Sequence, residues 1–256
     1  GFGYKNLLGA YHPPVVSITD RFFFKSLSEG WLRHGIAEII KMAVVKNLTL
    51  FEQLESANAA LISTRFGTRD CDNNDDIQAQ SQAILGGALK SYIEAEYDNL
   101  YETHQCRPHA YGHTWSPGFE IEAGLLHGHA VAIGMGLGAY LSHQAGWITR
   151  EELFRILKLM SDFGLSLWHD ILENQNTMEA SHAKIIEKRG GNLVAPLPRG
   201  GIGSCGYLND LSAADLCAAI PLYKSMCATF PRDGRGIDPL CSDVGLESPS
   251  TVAAAL

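Results

Sequence analysis

Little in this 256-residue sequence points toward nucleic acid, a membrane or an oxidising compartment. The formal net charge is −8 and no Lys/Arg stripe is present, which excludes general binding to a phosphate backbone. The six cysteines form no CxxC pair and lie far apart, unlike a disulfide scaffold, so a reducing, cytoplasmic setting is expected. No charged segment followed by an apolar one opens the chain. Instead GFGYKNLLGAYHPP reads like the middle of a domain, and a piece of a longer protein is expected. Charge is also absent between Glu122 and Arg150, a length that has to be tested as a membrane span. His127, His129, His143 and Gln144 interrupt it, and Gly128, Gly134, Gly136 and Gly138 suit close helix packing; the expectation is a buried core helix. There is no internal repeat and no low-complexity tract.

What is present is a helical pattern. PPVVSITD at 13–20 predicts one strand ending in a turn at Asp20. Ile36, Ile40, Ala43, Val44, Phe51 and Leu54 recur at helical spacing and predict one long helix from Arg33 to about Glu55. TRDCDNNDD at 68–76 is a surface loop before a second helix near 77–97. A further helix fits 150–164 after Thr149, with Glu151 and Glu152 at its positive end. The Gly- and Pro-rich stretch 189–209 predicts a short strand or two, and 212–228 a helix capped by Ser212 or Asp210. Residues 231–256 read as an irregular, partly disordered tail.

Chemistry concentrates in two places. Glu38 and Lys41 lie three residues apart in the first helix. Such a pair shares a helix face, and a solvent-side ion pair is the simpler reading; the other is that Glu38 enters a cleft as an oxygen ligand while Lys41 reaches an anionic group. Histidines 109, 113, 127 and 129 stand in an almost uncharged region. Imidazole and carboxylate together make a zinc site, and three protein ligands with open positions make a catalytic one. A separation of fourteen between His113 and His127 forms no compact motif, so satisfied core histidines remain the alternative. His127 and His129 are about 200° apart on a helix, so they do not both serve one site. IGMGLGAY at 133–140 lies inside a helix, where its glycines serve packing and not dinucleotide binding. Ser116, Cys106 and Cys205 have no demonstrated base and are weak nucleophile candidates.

Taken in order, KNLLGAY (5–11), GIAEIIKMA (35–43), GHT (112–114) and LLHGHAVAIGM (125–135) resemble the sugar phosphate cyclase superfamily, the 3-dehydroquinate synthase-like enzymes, from residue 1 to about 210. The resemblance implies a mainly α fold: residues 1–28 as the last strand or strands of an NAD-binding α/β domain otherwise missing, 29–230 as a helical metal- and substrate-binding domain, and 231–256 as the tail. It implies Glu38, His113 and His127 as ligands of Zn²⁺ (or Co²⁺), with Lys41, Asn6 and Lys188 as catalytic, substrate-contacting residues. On the NAD side it implies Lys5, Asp20, Phe23 and Ser26. It further implies a homodimer acting on a small sugar phosphate.

The departures narrow the branch. Where dehydroquinate synthases carry an Asn and a second His around GHT, this chain has Ala110 and Pro117. Aligned without gaps, their carboxylate-binding Arg and Lys become Cys106 and Tyr92, although Arg107 and Lys90 are close in sequence. A substrate without a carboxylate needs no such cations, and an unpaired buried cation is costly. GHTWSP, GNLVAPLP and CGYLND resemble the cyclases of sedoheptulose 7-phosphate. RPHAYGHTWSPGFE resembles the gadusol-forming branch more than the valiolone-forming one, which usually has Asp at Ala110. The resemblance implies a lyase chemistry of transient oxidation by NAD, phosphate elimination and intramolecular aldol closure, with this piece inactive alone. A metal-dependent alcohol dehydrogenase and a non-catalytic helical module are the competing readings.

Overall fold

The computed structural model describes residues 9–10, 12–69, 75–101 and 103–246. Its longer helices are α1 (Glu29–Lys46), α2 (Leu48–Ala57), α4 (Asp75–Glu96), α6 (His127–Gln144), α7 (Arg150–Asp162), α8 (Gln175–Lys188) and α9 (Ala213–Cys227), with the one-turn helices α3 (Ala60–Ser63) and α5 (Ser116–Phe119) between them. Strands β1 (Ala195–Pro198) and β2 (Cys205–Leu208) form an antiparallel hairpin, as the glycine- and proline-rich stretch predicts.

Helix α6 is the axis of the molecule. From Gly128 to Ser142 every residue is buried, which is why its sequence carries neither charge nor one-sided periodicity. Helices α1, α5, α7 and α9 and strand β1 all pack on it. No helix among the described residues is long and apolar enough to cross a membrane. Its glycines are contact points: a Cβ at Gly134 would lie 2.2 Å from the Gly112 carbonyl oxygen, and one at Gly128 would lie 2.1 Å from the His34 carbonyl oxygen. Only a hydrogen at those positions lets α1 and the 110–115 segment approach the helix axis this closely.

Several expectations need correction. The single helix over Arg33–Glu55 is two, because Asn47 takes extended backbone (φ −150°, ψ 95°) and its side chain accepts the Leu50 N–H at 3.0 Å, capping α2. The strand expected at 13–20 does not form: nothing among the described residues pairs with it, and Val15 (99% exposed) and Ile18 (89%) stand in solvent. β-Branched composition cannot make a strand without a sheet to join. The tail from 231 to 246 is irregular, as expected, but 236–246 also hydrogen-bonds back onto the core. The capping expectations hold, with a Thr149–Glu152 capping box on α7 and Ser212 on α9.

Candidate metal centre

Helix α1 presents Glu38, the 110–115 segment presents His113, and the first residue of α6 presents His127. Tertiary packing brings these three together: His113 Nε2 and His127 Nε2 are 3.2 Å apart, and each is 3.5 Å from Glu38 Oε1. Among the described residues they form the one group of three or more potential ligands whose donor atoms converge.

The hydrogen bonds of the rings fix what the near nitrogens can do. His113 Nδ1 is 3.1 Å from the Tyr111 carbonyl oxygen and His127 Nδ1 is 2.8 Å from Glu120 Oε2. Both partners only accept, so each Nδ1 carries a proton, and Nε2 is the ring nitrogen that each histidine turns toward the other and can offer to a metal. A cation placed between the two nitrogens and the Glu38 carboxylate oxygen would meet all three donors at once. Buried Glu38 Oε1 also has no hydrogen-bond partner among the described residues. Donors about 2.0–2.1 Å from a tetrahedral zinc stand about 3.3–3.4 Å apart, which the 3.2 and 3.5 Å separations match. The residues therefore fit a divalent ion with three protein ligands.

The electrostatics agree. Burial, with Lys41 nearby, lowers the His113 imidazole to about 4, so it is neutral at physiological pH. Burial pushes the Glu38 carboxyl up, but His127, Lys41 and His113 outweigh it and hold Glu38 well below the usual carboxylate range. Lys41 is buried to 4% side-chain exposure and its ammonium pairs with Glu38. The i,i+3 pair of the simpler reading exists, but inside a cleft lined by Glu38, Ile39, Lys41, Met42, Ala88 and Tyr92.

Local structure explains how His113 is held. Gly112 takes φ +81°, a left-handed conformation open to glycine, and Tyr111 Oη donates to the Met135 carbonyl at 2.6 Å, anchoring the turn on α6. His129 faces elsewhere: its Nδ1 accepts the Ser166 N–H at 3.2 Å in the core, so it does not join the site. Cys205 is an inert thiol, pushed up to about 12 by burial.

None of the other expected residues within the described part is among these ligands. Lys5 and Asn6 lie outside the described residues. Asp20 accepts the Phe22 N–H at 2.9 Å, starting the 3₁₀ turn Arg21–Ser26, and on that turn Phe23 and Ser26 are exposed. Lys188 is exposed in the last turn of α8; its neighbour Arg189 turns inward and donates to the Leu193 carbonyl at 2.6 Å. Lys90 points outward toward Glu94, whereas Arg107 acts electrostatically on Glu96, His109 and Arg189. Burial lowers His109, which pairs with Glu96, to about 3. Sequence reasoning missed Glu120, His34 and Arg189. The signal for Glu120 was available, since it and Glu122 are the only charged residues between Arg107 and Arg150.

A helical domain with a His₂Glu site between its central helix and the helix beside it is thus defined. The family profile described as "3-dehydroquinate synthase C-terminal" matches residues 35–184, and the chain belongs to this family. Demethyl-4-deoxygadusol synthase of Trichormus variabilis is 38% identical over 91% of this chain and 57% of its own length. A 2-epi-5-epi-valiolone synthase of Streptomyces hygroscopicus subsp. jinggangensis is 35% identical over 85% of this chain and 51% of its own. The chain thus spans little more than half the length of these curated relatives. The solved structure of the Streptomyces enzyme with NAD⁺ and Zn²⁺ bound superposes with TM-score 0.79 and 34% identity, over 88% of this chain and 59% of that one. A 2-deoxy-scyllo-inosose synthase with carbaglucose-6-phosphate, NAD⁺ and Co²⁺ shares the fold at TM-score 0.61 and 16% identity, over 85% of this chain and 58% of that one.

Proposed function

We propose that this chain is the metal- and substrate-binding part of a sugar phosphate cyclase that converts sedoheptulose 7-phosphate to desmethyl-4-deoxygadusol, the first step toward mycosporine-like compounds. The convergence of the two Nε2 atoms and Glu38 Oε1 carries the reading. Glu38, His113 and His127 would hold Zn²⁺ (or Co²⁺). When bound, the ion supplies Lewis acidity at a substrate hydroxyl and NAD⁺ accepts the transient hydride.

This chain's own residues do the rest. Lys41, desolvated beside Glu38, offers a concentrated positive charge to substrate oxygens, including those of a departing phosphate, where a buried ammonium is worth far more than one in water. Glu120 and the Tyr111 carbonyl hold the two imidazoles in the tautomer that leaves Nε2 free to ligate. Arg107 and Arg189 extend the positive potential beyond Lys41. The reading assigns further substrate contacts to Asn6 and Lys188 and NAD contacts to Lys5, Asp20, Phe23 and Ser26. The reading includes a homodimer in the cytoplasm.

A second reading, closure to 2-epi-5-epi-valiolone, is favoured by the likeness to the valiolone synthases; Ala110, where that branch usually has Asp, favours the first. One experiment separates them. Metal content is measured on the full-length protein and on a His113→Ala/His127→Ala variant, and both are incubated with sedoheptulose 7-phosphate and NAD⁺, with products identified by mass spectrometry. About one zinc per chain, lost in the variant, together with the gadusol product is expected. The valiolone product would establish the second reading, and a folded wild type without metal would overturn both.

A further inference from the structure

Helix α6 begins without a side-chain cap: Leu126 occupies the capping position and its side chain accepts nothing. The first N–H groups of a helix must find partners, and here they are found on other elements. Gly128 N–H donates to His34 Nδ1 on α1 at 2.9 Å. One residue ahead of the ligand, Leu126 N–H donates to the Pro239 carbonyl at 2.8 Å. Residues 236–246 continue this attachment in both directions. Cys241 N–H donates to the Gly124 carbonyl at 3.0 Å, Leu240 bridges Leu125 as an antiparallel pair, and Ile237 N–H donates to the Gly164 carbonyl at 2.8 Å. On the α1 side, Asp238 Oδ2 is 2.9 Å from Nη1 of Arg33, whose side chain is 8% exposed, and Val244 Cγ1 lies 2.7 Å from where a Cβ at Gly30 would be. The segment thus ties the helix carrying Glu38 to the three residues that deliver His127.

We propose that residues 236–246 are a strap that sets the separation of Glu38 and His127, with Asp238 as a positioning residue for the metal centre. This rests on the reading that Glu38, His113 and His127 hold a divalent ion. None of the strap's side chains is among those ligands. Its action runs through Arg33, five residues before Glu38, and through the Leu126 N–H. Because Leu126 is fixed by the strap's main chain and Arg33 by its side chain, displacing the strap lets the two helix ends drift apart. A site whose donors converge to 3.2–3.5 Å loses affinity when they do.

The test uses full-length protein, wild type and two variants that disturb the strap by independent means. Asp238→Ala removes the 2.9 Å partner of Arg33 and leaves it only Glu29, at 3.8 Å on its own helix. Gly236→Ala places a Cβ 2.5 Å from Ser166 Oγ and 2.6 Å from His129 Nδ1, lifting the strap without deleting a contact group. Zinc affinity is read by competition with a chromogenic chelator, and site geometry by the visible d–d bands of the Co²⁺-loaded protein. Both variants are expected to bind zinc at least about tenfold more weakly, with weakened cobalt bands. Asp238→Asn, which keeps an oxygen for Arg33, should fall between wild type and Asp238→Ala. Should Asp238→Ala not fold, Asp238→Asn and Gly236→Ala carry the same comparison. Zinc affinity within about twofold of wild type and unchanged cobalt bands in the folded variants, with only the melting temperature lowered, would overturn the strap as a positioning element. A wild-type protein that binds no zinc would instead overturn the metal reading on which it rests.

Discussion

Replacing Glu120 by alanine removes the acceptor of the His127 Nδ1 proton, a 2.8 Å bond to a carboxylate whose side chain is 10% exposed. A hydrogen bond to a buried charge contributes about 1.5–3 kcal/mol, and loss of such a partner to a ligating imidazole weakens metal binding about 10- to 100-fold, or about 1.4–2.7 kcal/mol. The two estimates agree, so the expected outcome is a zinc dissociation constant raised by one to two orders of magnitude. Glu120→Gln retains a neutral acceptor for Nδ1 and is expected to lose less than about tenfold. Chelator competition near neutral pH measures both constants, and the melting temperature of the metal-free proteins separates a loss of fold from a loss of ligand orientation. If folded Glu120→Ala bound zinc within about twofold of wild type, Glu120 would not orient His127 and the tautomer argument for the centre would fail.

Three further outcomes follow from the packing. Gly134→Ala sets a Cβ 2.2 Å from the Gly112 carbonyl oxygen, so it should lower the urea midpoint by an amount equivalent to about 1–3 kcal/mol or more and weaken zinc binding through His113; an unchanged midpoint would contradict the close approach. Asn47→Ala removes the cap of α2 and the 2.9 Å bond from Asn47 Nδ2 to Ser91, and should cost about 1 kcal/mol or more in thermal unfolding while leaving zinc affinity alone. His182 accepts the Trp115 indole N–H at 3.2 Å, and burial lowers its pKa from 6.5. Below that pH the unfolded chain takes up the proton first, so this contribution is complete above 6.5 and is lost as the pH falls toward the folded-state value. Urea midpoints of the metal-free protein at about pH 7 and about pH 5 should therefore fall more steeply for wild type than for His182→Gln, and equal slopes would refute the assignment.

The site was legible only in part before folding. Glu38 and Lys41 could be read as a pair, but i,i+3 spacing does not say whether a helix face meets solvent or a cleft; the packing of α1 against α6 and α4 decided that. His113 and His127 stood out as histidines in an almost uncharged stretch, yet the thirteen residues between them include a turn and a one-turn helix whose path sets the 3.2 Å meeting of the two rings. The strand expected at 13–20 failed, and the attachment of 236–246 to the core went unread, for one reason: whether a segment pairs or attaches depends on partners far away in the sequence.

By itself the sequence determined what depends on local chemistry. The helical class, the cap at Thr149, a cap for α9 at Ser212 or Asp210, a short strand or two within 189–209, the uncharged axis of α6 and the residue types able to ligate a metal all follow from side-chain chemistry and short-range spacing. Tertiary structure alone decided which of those residues meet. The glycine contacts that bring α1 and the 110–115 segment onto α6, the carboxylate of Glu120 behind His127 and the strap from 236 to 246 are long-range, and a ligand set exists only where such contacts hold three donor atoms within reach of one ion.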